Sequence, residues 1–388
     1  MERDQSLKFM HDLLRLMSSK GGSDLFITAG FPPAIKVDGR ISPVSNQVLT
    51  AQHTAELARS LMNDRQATEF EATKECNFAI SPSGIGRFRA NAFVQQGRIG
   101  VVCRTINTEI PTMEALRLPP ILKDIAMTRR GLVIMVGGTS TGKTTSLAAM
   151  VGYRNENSFG HIITLESPIE YVHEHKNCII TQREVGVDTE DWDPALKNTL
   201  RQAPDVILMG EIRDKKTMGY AIAFAETGHL CLATLHANNA NQAIERIINF
   251  FSEEERTQLL MNLSLNLRAA ISQRLIPKKD GKGRTAAFEV MLNSPLIADL
   301  IFKGDIYEIK EIMKKSRELG MQTFDQSLFE LYENGEISYE DALRNADSVN
   351  DLRLHIKLNS KDAADRDLTA GLQHLAIKED QAESALPF

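Results

Sequence analysis

The sequence predicts an α/β protein in which a small α+β domain precedes a parallel-sheet nucleotide-binding domain that ends in a helical part. Three observations predict it. Short strand-like runs divided by Gly, Pro and Ser turns fill the first 111 residues. Continuous apolar runs at 131–136, 161–165, 206–209 and 230–234 then alternate with helical spacing, the pattern of parallel strands buried on both faces. The first of these runs opens directly into a glycine-rich loop, and nucleotide sites in such sheets lie at the carboxyl ends of strands.

Composition sets the frame for that reading. A chain of 388 residues with 42% hydrophobic content has room for about two or three domains with real cores. Its 45 Lys+Arg against 51 Asp+Glu give a net charge of −6, which argues against a broad electrostatic grip on nucleic acid or anionic lipid. Cys76, Cys103, Cys178 and Cys231 are scattered, with no Cys-x-x-Cys pair for zinc or redox chemistry, and read as buried thiols in a reducing compartment. The opening residues are charged, and no stretch approaches the roughly 18 apolar residues of a membrane span. A cytoplasmic protein, peripheral at most to the membrane, is expected.

Element by element, helical spacing at 7–17 stopped by Gly21-Gly22 predicts an opening helix. Strands are expected at 24–28, 34–37, 76–80, 87–93 and 100–104, with one helix near 51–62. A connecting helix is predicted at 116–126. Beyond residue 251 helical periodicity is read over 253–274 and 295–332, with a hairpin at Asp280-Gly281-Lys282-Gly283. The domains are therefore placed at 1–112, a linker at 113–130, the nucleotide domain with its helical part at 131–349, and a mobile extension at 350–388.

The loop Gly137-Gly138-Thr139-Ser140-Thr141-Gly142-Lys143-Thr144 has the P-loop spacing at every fixed position. Its glycines let backbone N–H groups close around phosphate oxygens, Lys143 neutralises β/γ-phosphate charge, and the Thr144 hydroxyl can ligate Mg²⁺. Thr145 is counted with the nucleotide contacts. A helix-capping turn that happens to carry Lys and Thr is the plainer alternative, and the strand before and helix after speak against it. Hydrolysis also needs carboxylates near the γ-phosphate. The run at 206–209 delivers Glu211 at its carboxyl end, a second Mg²⁺-holding candidate, while Asp205 at the other end reads as a cap or turn residue. Glu166 and Glu170 follow another strand and can face the same nucleotide, although acids after strands are most often helix caps. His229 and His236 bracket the run at 230–235, as γ-phosphate sensors or as histidines satisfied by the backbone.

These four segments, in this order, resemble the secretion ATPase superfamily that powers type II secretion and type IV pili. They resemble its pilus-retraction branch most strongly, with support from residues 86–91, 182–186, 210–214 and 234–238. The resemblance spans about residues 7–345. It implies a PAS-like amino-terminal domain, a RecA-like ATPase domain and a homo-hexameric ring. By it, Glu170 matches the catalytic base and Glu211 the Walker B glutamate, and His229 and His236 match the His-box pair. Arg89 and Arg104, surface strand residues by pattern alone, match arginines swung toward bound nucleotide. The implied cofactors are ATP and Mg²⁺; the implied partners are the principal retraction ATPase paralogue and an inner-membrane pilus platform protein.

Three departures from the principal retraction motor point to the accessory one. Ser167 stands where the family's Asp box has Asp. Residues 201–204 read Arg-Gln-Ala-Pro for Arg-Glu-Asp-Pro, and residues 295–301 replace an Ala-Ile-Arg-Asn-Leu-Ile-type run. The chain also runs some forty residues past the usual end. The expected function is ATP hydrolysis driving pilus retraction and twitching motility. A ring subunit that binds ATP but hydrolyses it weakly is the chief alternative, ahead of an assembly ATPase, a nucleic-acid translocase and a monomeric kinase.

Overall fold

The computed structural model describes residues 3–37, 39–106 and 109–360. The chain divides into two compact units, one of residues up to 274 with 288–322, the other of 275–287 with residues from 323 on. Both sheets' site-bearing parts lie in the first unit.

The amino-terminal part builds an antiparallel sheet. Helix α1 (Arg3–Ser19) buries Met10, Leu13, Leu14 and Met17, the i, i+3, i+4, i+7 stripe of an amphipathic helix. Strands β1 (Asp24–Ile27), β2 (Ala34–Val37) and β3 (Arg40–Pro43) follow, then α2 (Ala51–Leu61), α3 (Asp64–Thr73), β4 (Glu75–Ile80), β5 (Arg87–Gln95) and β6 (Arg98–Ile106). The strand order is β3-β2-β1-β6-β5-β4, with all five neighbouring pairs antiparallel. Capping boxes start both helices, Thr50 with His53 and Asn63 with Gln66. Phe78, Phe88, Leu25 and the α1 stripe form the core on one face. The expected strands are present; β3 and α3 were not read from the sequence.

Helix α4 (Ile121–Ala126) leads into β7 (Gly131–Val136), α5 (Lys143–Asn157), β8 (Gly160–Glu166), β9 (Cys178–Glu184), α6 (Trp192–Thr199), β10 (Val206–Met209), α7 (Lys215–Glu226) and β11 (Leu230–Leu235). Then come α8 (Ala240–Ile248), α9 (Glu253–Asn266), β12 (Leu267–Pro277), β13 (Arg284–Leu292), α10 (Pro295–Lys303) and α11 (Ile309–Lys315). The seven-stranded sheet runs β13-β12-β7-β11-β10-β8-β9. Five neighbouring pairs are parallel. All six residues of β7 and of β11 are buried, as strands covered on both faces require.

Three expectations need correction. The connecting helix starts at Ile121 rather than 116, because Pro119-Pro120 keeps residue 118 out of the helical region. The helix read over 253–274 stops at Asn266, and Leu267–Pro277 is a strand along β7. Alanines and leucines there suit either element, and the vacant edge of a parallel sheet decides between them. The helical reading of 295–332 holds only in pieces, since left-handed Gly304 and Gly320 end its turns.

The second unit packs Phe324, Leu328, Ile337, Ala342, Leu352 and Ile356 into its own core. Helices α12 (Phe324–Glu333), α13 (Tyr339–Asn345) and α14 (Val349–Asn359) supply most of it. The extension expected from residue 350 thus begins as a helix with Leu352 and Ile356 buried one turn apart. Its remainder, 361–388, lies outside the described residues.

Candidate active site

The carboxyl ends of β7, β8, β10 and β11 converge on one edge of the sheet, and each delivers a chemically useful side chain. After β7 the chain must turn sharply. A Cβ on Gly137 would lie 2.6 Å from Thr141 Oγ1 and 2.9 Å from the Gln273 carbonyl of β12, so only glycine lets the loop pass so close to the neighbouring strand. Gly142, at φ 88°, starts α5 from the left-handed region. Thr141 Oγ1 donates to the Gly138 carbonyl at 3.0 Å. Lys143 is 8% exposed, and its Nζ donates to the carbonyls of Gly137 at 2.8 Å and Gly138 at 2.7 Å. Burial lowers its pKa, and the Glu211 carboxylate opposes that shift. One turn on, Ser146 Oγ donates to Gln273 Oε1 at 2.8 Å, pinning α5 to β12.

Glu211 follows β10. Its Oε2 accepts from Arg213 Nε at 2.8 Å, and its Oε1 lies 3.3 Å from His236 Nε2. The flanking backbone is laced to β11: the Thr234 hydroxyl donates to the Gly210 carbonyl, and Ile212 N donates to Thr234 O at 2.8 Å. Burial, then the Lys143 charge, lower the His236 pKa against the pull of Glu211, which disfavours the protonated ring. Lys143, Glu211 and His236 therefore form one electrostatic group. Thr144, next to Lys143 in the first turn of α5, and Glu211 supply the hard oxygen donors that Mg²⁺ prefers.

Glu170 sits in the loop leaving β8 and is exposed. Its neighbour Tyr171 places its OH 3.0 Å from Thr145 Oγ1, which ties the loop to the head of α5. Glu166, at the end of β8, is buried. Thr164 Oγ1 donates to its Oε1 at 2.7 Å and Gln182 Nε2 at 3.3 Å. Burial pushes its pKa up to about 7 despite those bonds, with Glu170 and Glu184 adding to the rise.

The remaining predicted residues lie elsewhere. His229 precedes β11, about 23 Å from His236 at the roughly 3.3 Å rise of a strand, and its Nδ1 lies 3.0 Å from Thr227 Oγ1. Arg89 and Arg104 face each other across β5 and β6 in the amino-terminal sheet. Arg104 Nε donates to Asp24 Oδ1 at 2.8 Å, with 70% of the arginine side chain but only 5% of the aspartate exposed. Asp205 caps no helix among the described residues; it accepts from His161 N at 2.8 Å, at the start of β8. Gln182, Glu184 and Gln273, which bond to the elements carrying the site, were not singled out as site residues from the sequence. The polar alternation of Gln182 and Glu184 on a strand was the available signal for the first two; nothing local marks Gln273.

Residues 112–330 match the family model described as type II/IV secretion system protein. The chain belongs to that family. Within it, the chain is 62% identical over 370 residues to the type IV pilus ATPase PilU of Pseudomonas aeruginosa, covering 95% of this chain and 97% of that one. It is 42% identical over 335 residues to the type IV pilus retractation ATPase PilT of the same organism, covering 86% and 97%. Among solved structures, the pilus retraction motor PilT with bound ADP aligns with a TM-score of 0.83 at 37% identity, over 89% of this chain and 98% of that one. The Legionella pneumophila ATPase DotB aligns at 0.77 and 27% identity, over 87% and 94%. The secretion family's two-part plan, an amino-terminal domain and a RecA-like ATPase domain with carboxyl-terminal helices, is the one built here. Among the described residues no helix is long and apolar enough to cross a membrane.

Proposed function

We propose that the protein is an ATPase that powers type IV pilus retraction and twitching motility, working in the cytoplasm at the inner membrane as the accessory motor. The observation that carries this reading is the near-complete coverage at 62% identity with a pilus ATPase, joined to an intact set of Lys143, Glu170 and Glu211. The working form is a homo-hexamer, partnered by the principal retraction ATPase paralogue and an inner-membrane platform protein.

In the proposed chemistry the backbone of residues 137–142 cradles the phosphates, with Thr139, Ser140 and Thr145 completing the nucleotide contacts. Lys143 leaves its loop carbonyls for the β/γ-phosphate oxygens. Thr144 and Glu211 would hold Mg²⁺, which would supply neutralisation of phosphate charge. Glu170 orients the attacking water and takes its proton as the new P–O bond forms; the bond to the β-phosphate bridging oxygen breaks and its electrons leave with ADP. His236 stays neutral and hydrogen-bonds across the mouth. Arg89 and Arg104 steady developing charge from a neighbouring subunit.

A second reading, a ring subunit with weak hydrolysis that supports the main motor, is favoured by one observation: Ser167 occupies the Asp-box aspartate position, beside Glu166 and two residues from Ile169. Steady-state ATPase rates of the purified chain and of Ser167→Asp separate the two. Turnover below a tenth of the Ser167→Asp rate supports the second reading. Retraction assayed in cells lacking the principal motor tests the motor function; retraction that is no better with this chain than without it removes independent motor action.

A further inference from the structure

The loop that carries Glu170 is held at its backbone by two side chains of β9. Gln182 grips it twice: Oε1 accepts from His173 N at 2.7 Å, and Nε2 donates to the Tyr171 carbonyl at 2.9 Å. Glu184 Oε2 accepts from Ile169 N at 3.2 Å. The three anchored groups lie one residue before Glu170, one after and three after. Tyr171 OH adds a fourth tie to Thr145 on the phosphate-loop helix. An exposed acid is thus fastened on both sides while its own side chain stays at the surface.

The register explains how β9 does this. Thr164 pairs with Gln182 and Glu166 with Glu184 across parallel strands, so alternation puts all four on one face. That arrangement is costly. Glu166 and Glu184 are 8% and 4% exposed and sit directly opposite, where like charges destabilise and a hydrophobic pair would pack more cheaply. Glu166 meets the cost by carrying a proton near neutral pH. Buried polar networks that cost stability and lie against an active-site loop mark function more than folding.

We propose that Gln182 and Glu184 are positioning residues for hydrolysis: they fix the backbone of residues 169–173 so that Glu170 is held in attack geometry on the phosphate-loop helix. The inference rests on reading Glu170 as the base. Displacing a catalytic group by about 1 Å costs about 100-fold in rate, so loss of either grip acts on turnover while nucleotide binding, made by residues 137–145, persists.

The test uses the purified full-length chain, with kcat, KM for ATP and affinity for a non-hydrolysable ATP analogue measured together. Gln182→Leu is expected to lower kcat about 10- to 100-fold while analogue affinity changes less than about threefold. Glu184→Leu behaves likewise, and Glu184→Gln, which keeps an acceptor for Ile169 N, restores most of the rate. In a Glu170→Gln background, Gln182→Leu adds no further loss. Where Gln182→Leu does not fold, the Glu184→Leu and Glu184→Gln pair and the milder Tyr171→Phe carry the same comparison. Wild-type kcat in Gln182→Leu or Glu184→Leu overturns the proposal, as does a loss that multiplies with that of Glu170→Gln. Wild-type turnover in Glu170→Gln removes the base reading itself, and this inference with it. A slow Glu170→Gln beside a fast Gln182→Leu removes only the positioning role.

Discussion

The two ends of the central sheet carry the same residue types and use them oppositely. At the carboxyl edge stand Glu166, Glu211 and His236; at the amino edge stand Asp205, His161 and His229. At the amino edge each polar group is closed off locally. Asp205 accepts from His161 N, both His161 ring nitrogens find oxygens of Gln202 and Thr181 at 2.9 and 2.8 Å, and His229 turns to Thr227. At the carboxyl edge the charges face one another: Glu211 couples to Lys143 and His236, and Glu166 opposes Glu170 and Glu184. Strand direction makes the difference. Parallel strands aim helix amino termini and loop N–H groups at one edge only, and anions bind there.

Five changes break or sharpen that contrast, the largest first. Lys143→Ala should abolish turnover, a loss of at least about 10²- to 10³-fold, with nucleotide-analogue binding weakened in the same assay. Glu211→Gln should lower kcat by about 10²-fold. Its amino-edge counterpart, Asp205→Ala, should leave kcat within about threefold and instead cost about 1–3 kcal/mol of stability, read by urea unfolding beside steady-state kinetics.

Glu166 gives the pH arm of the comparison. Its folded pKa, about 7, lies above its ordinary 4.5, so the folded state holds the extra proton between those values. Its contribution is fully present below about pH 4.5 and lost as pH rises through 7, on the order of 3 kcal/mol across the window. Glu166→Gln should remove that dependence, so the variant gains on the wild type between pH 5 and pH 8 in unfolding midpoints. An unchanged pH slope would show that the carboxyl is ionised in the fold. The smallest effect is at Ala203, which holds φ 50° just before β10. Asn tolerates that left-handed region better, so Ala203→Asn should raise stability by about 0.5 kcal/mol, seen as a small rise in Tm.

Much of this was legible in the sequence. The apolar runs at 131–136 and 206–209 are the observed strands, residue for residue, because buried parallel strands have no polar face to blur their ends. Lys143 was read from the P-loop spacing that follows β7, and Glu211 and His236 from their places just past the ends of buried strands; the structure brings the three side chains together. Strand β12 was not found: its Ala-rich start continues the helical spacing of α9, and only the open edge beside β7 makes it a strand. Gln273, which reaches Ser146 from that strand, was hidden with it. Strand β9 was missed as an element although residues 182–186 were noticed as a run, and its polar alternation reflects a face turned toward the Glu170 loop rather than solvent. His229 reads like His236 in one dimension, and strand polarity separates them in three.

The lacing of β10 to β11 carries one more consequence. With Thr234 bonded to both Gly210 and Ile212, Glu211 and His236 ride on a single stiff jaw, and neither can shift while the other stays behind. A nucleotide entering that mouth meets a gap whose width is already set.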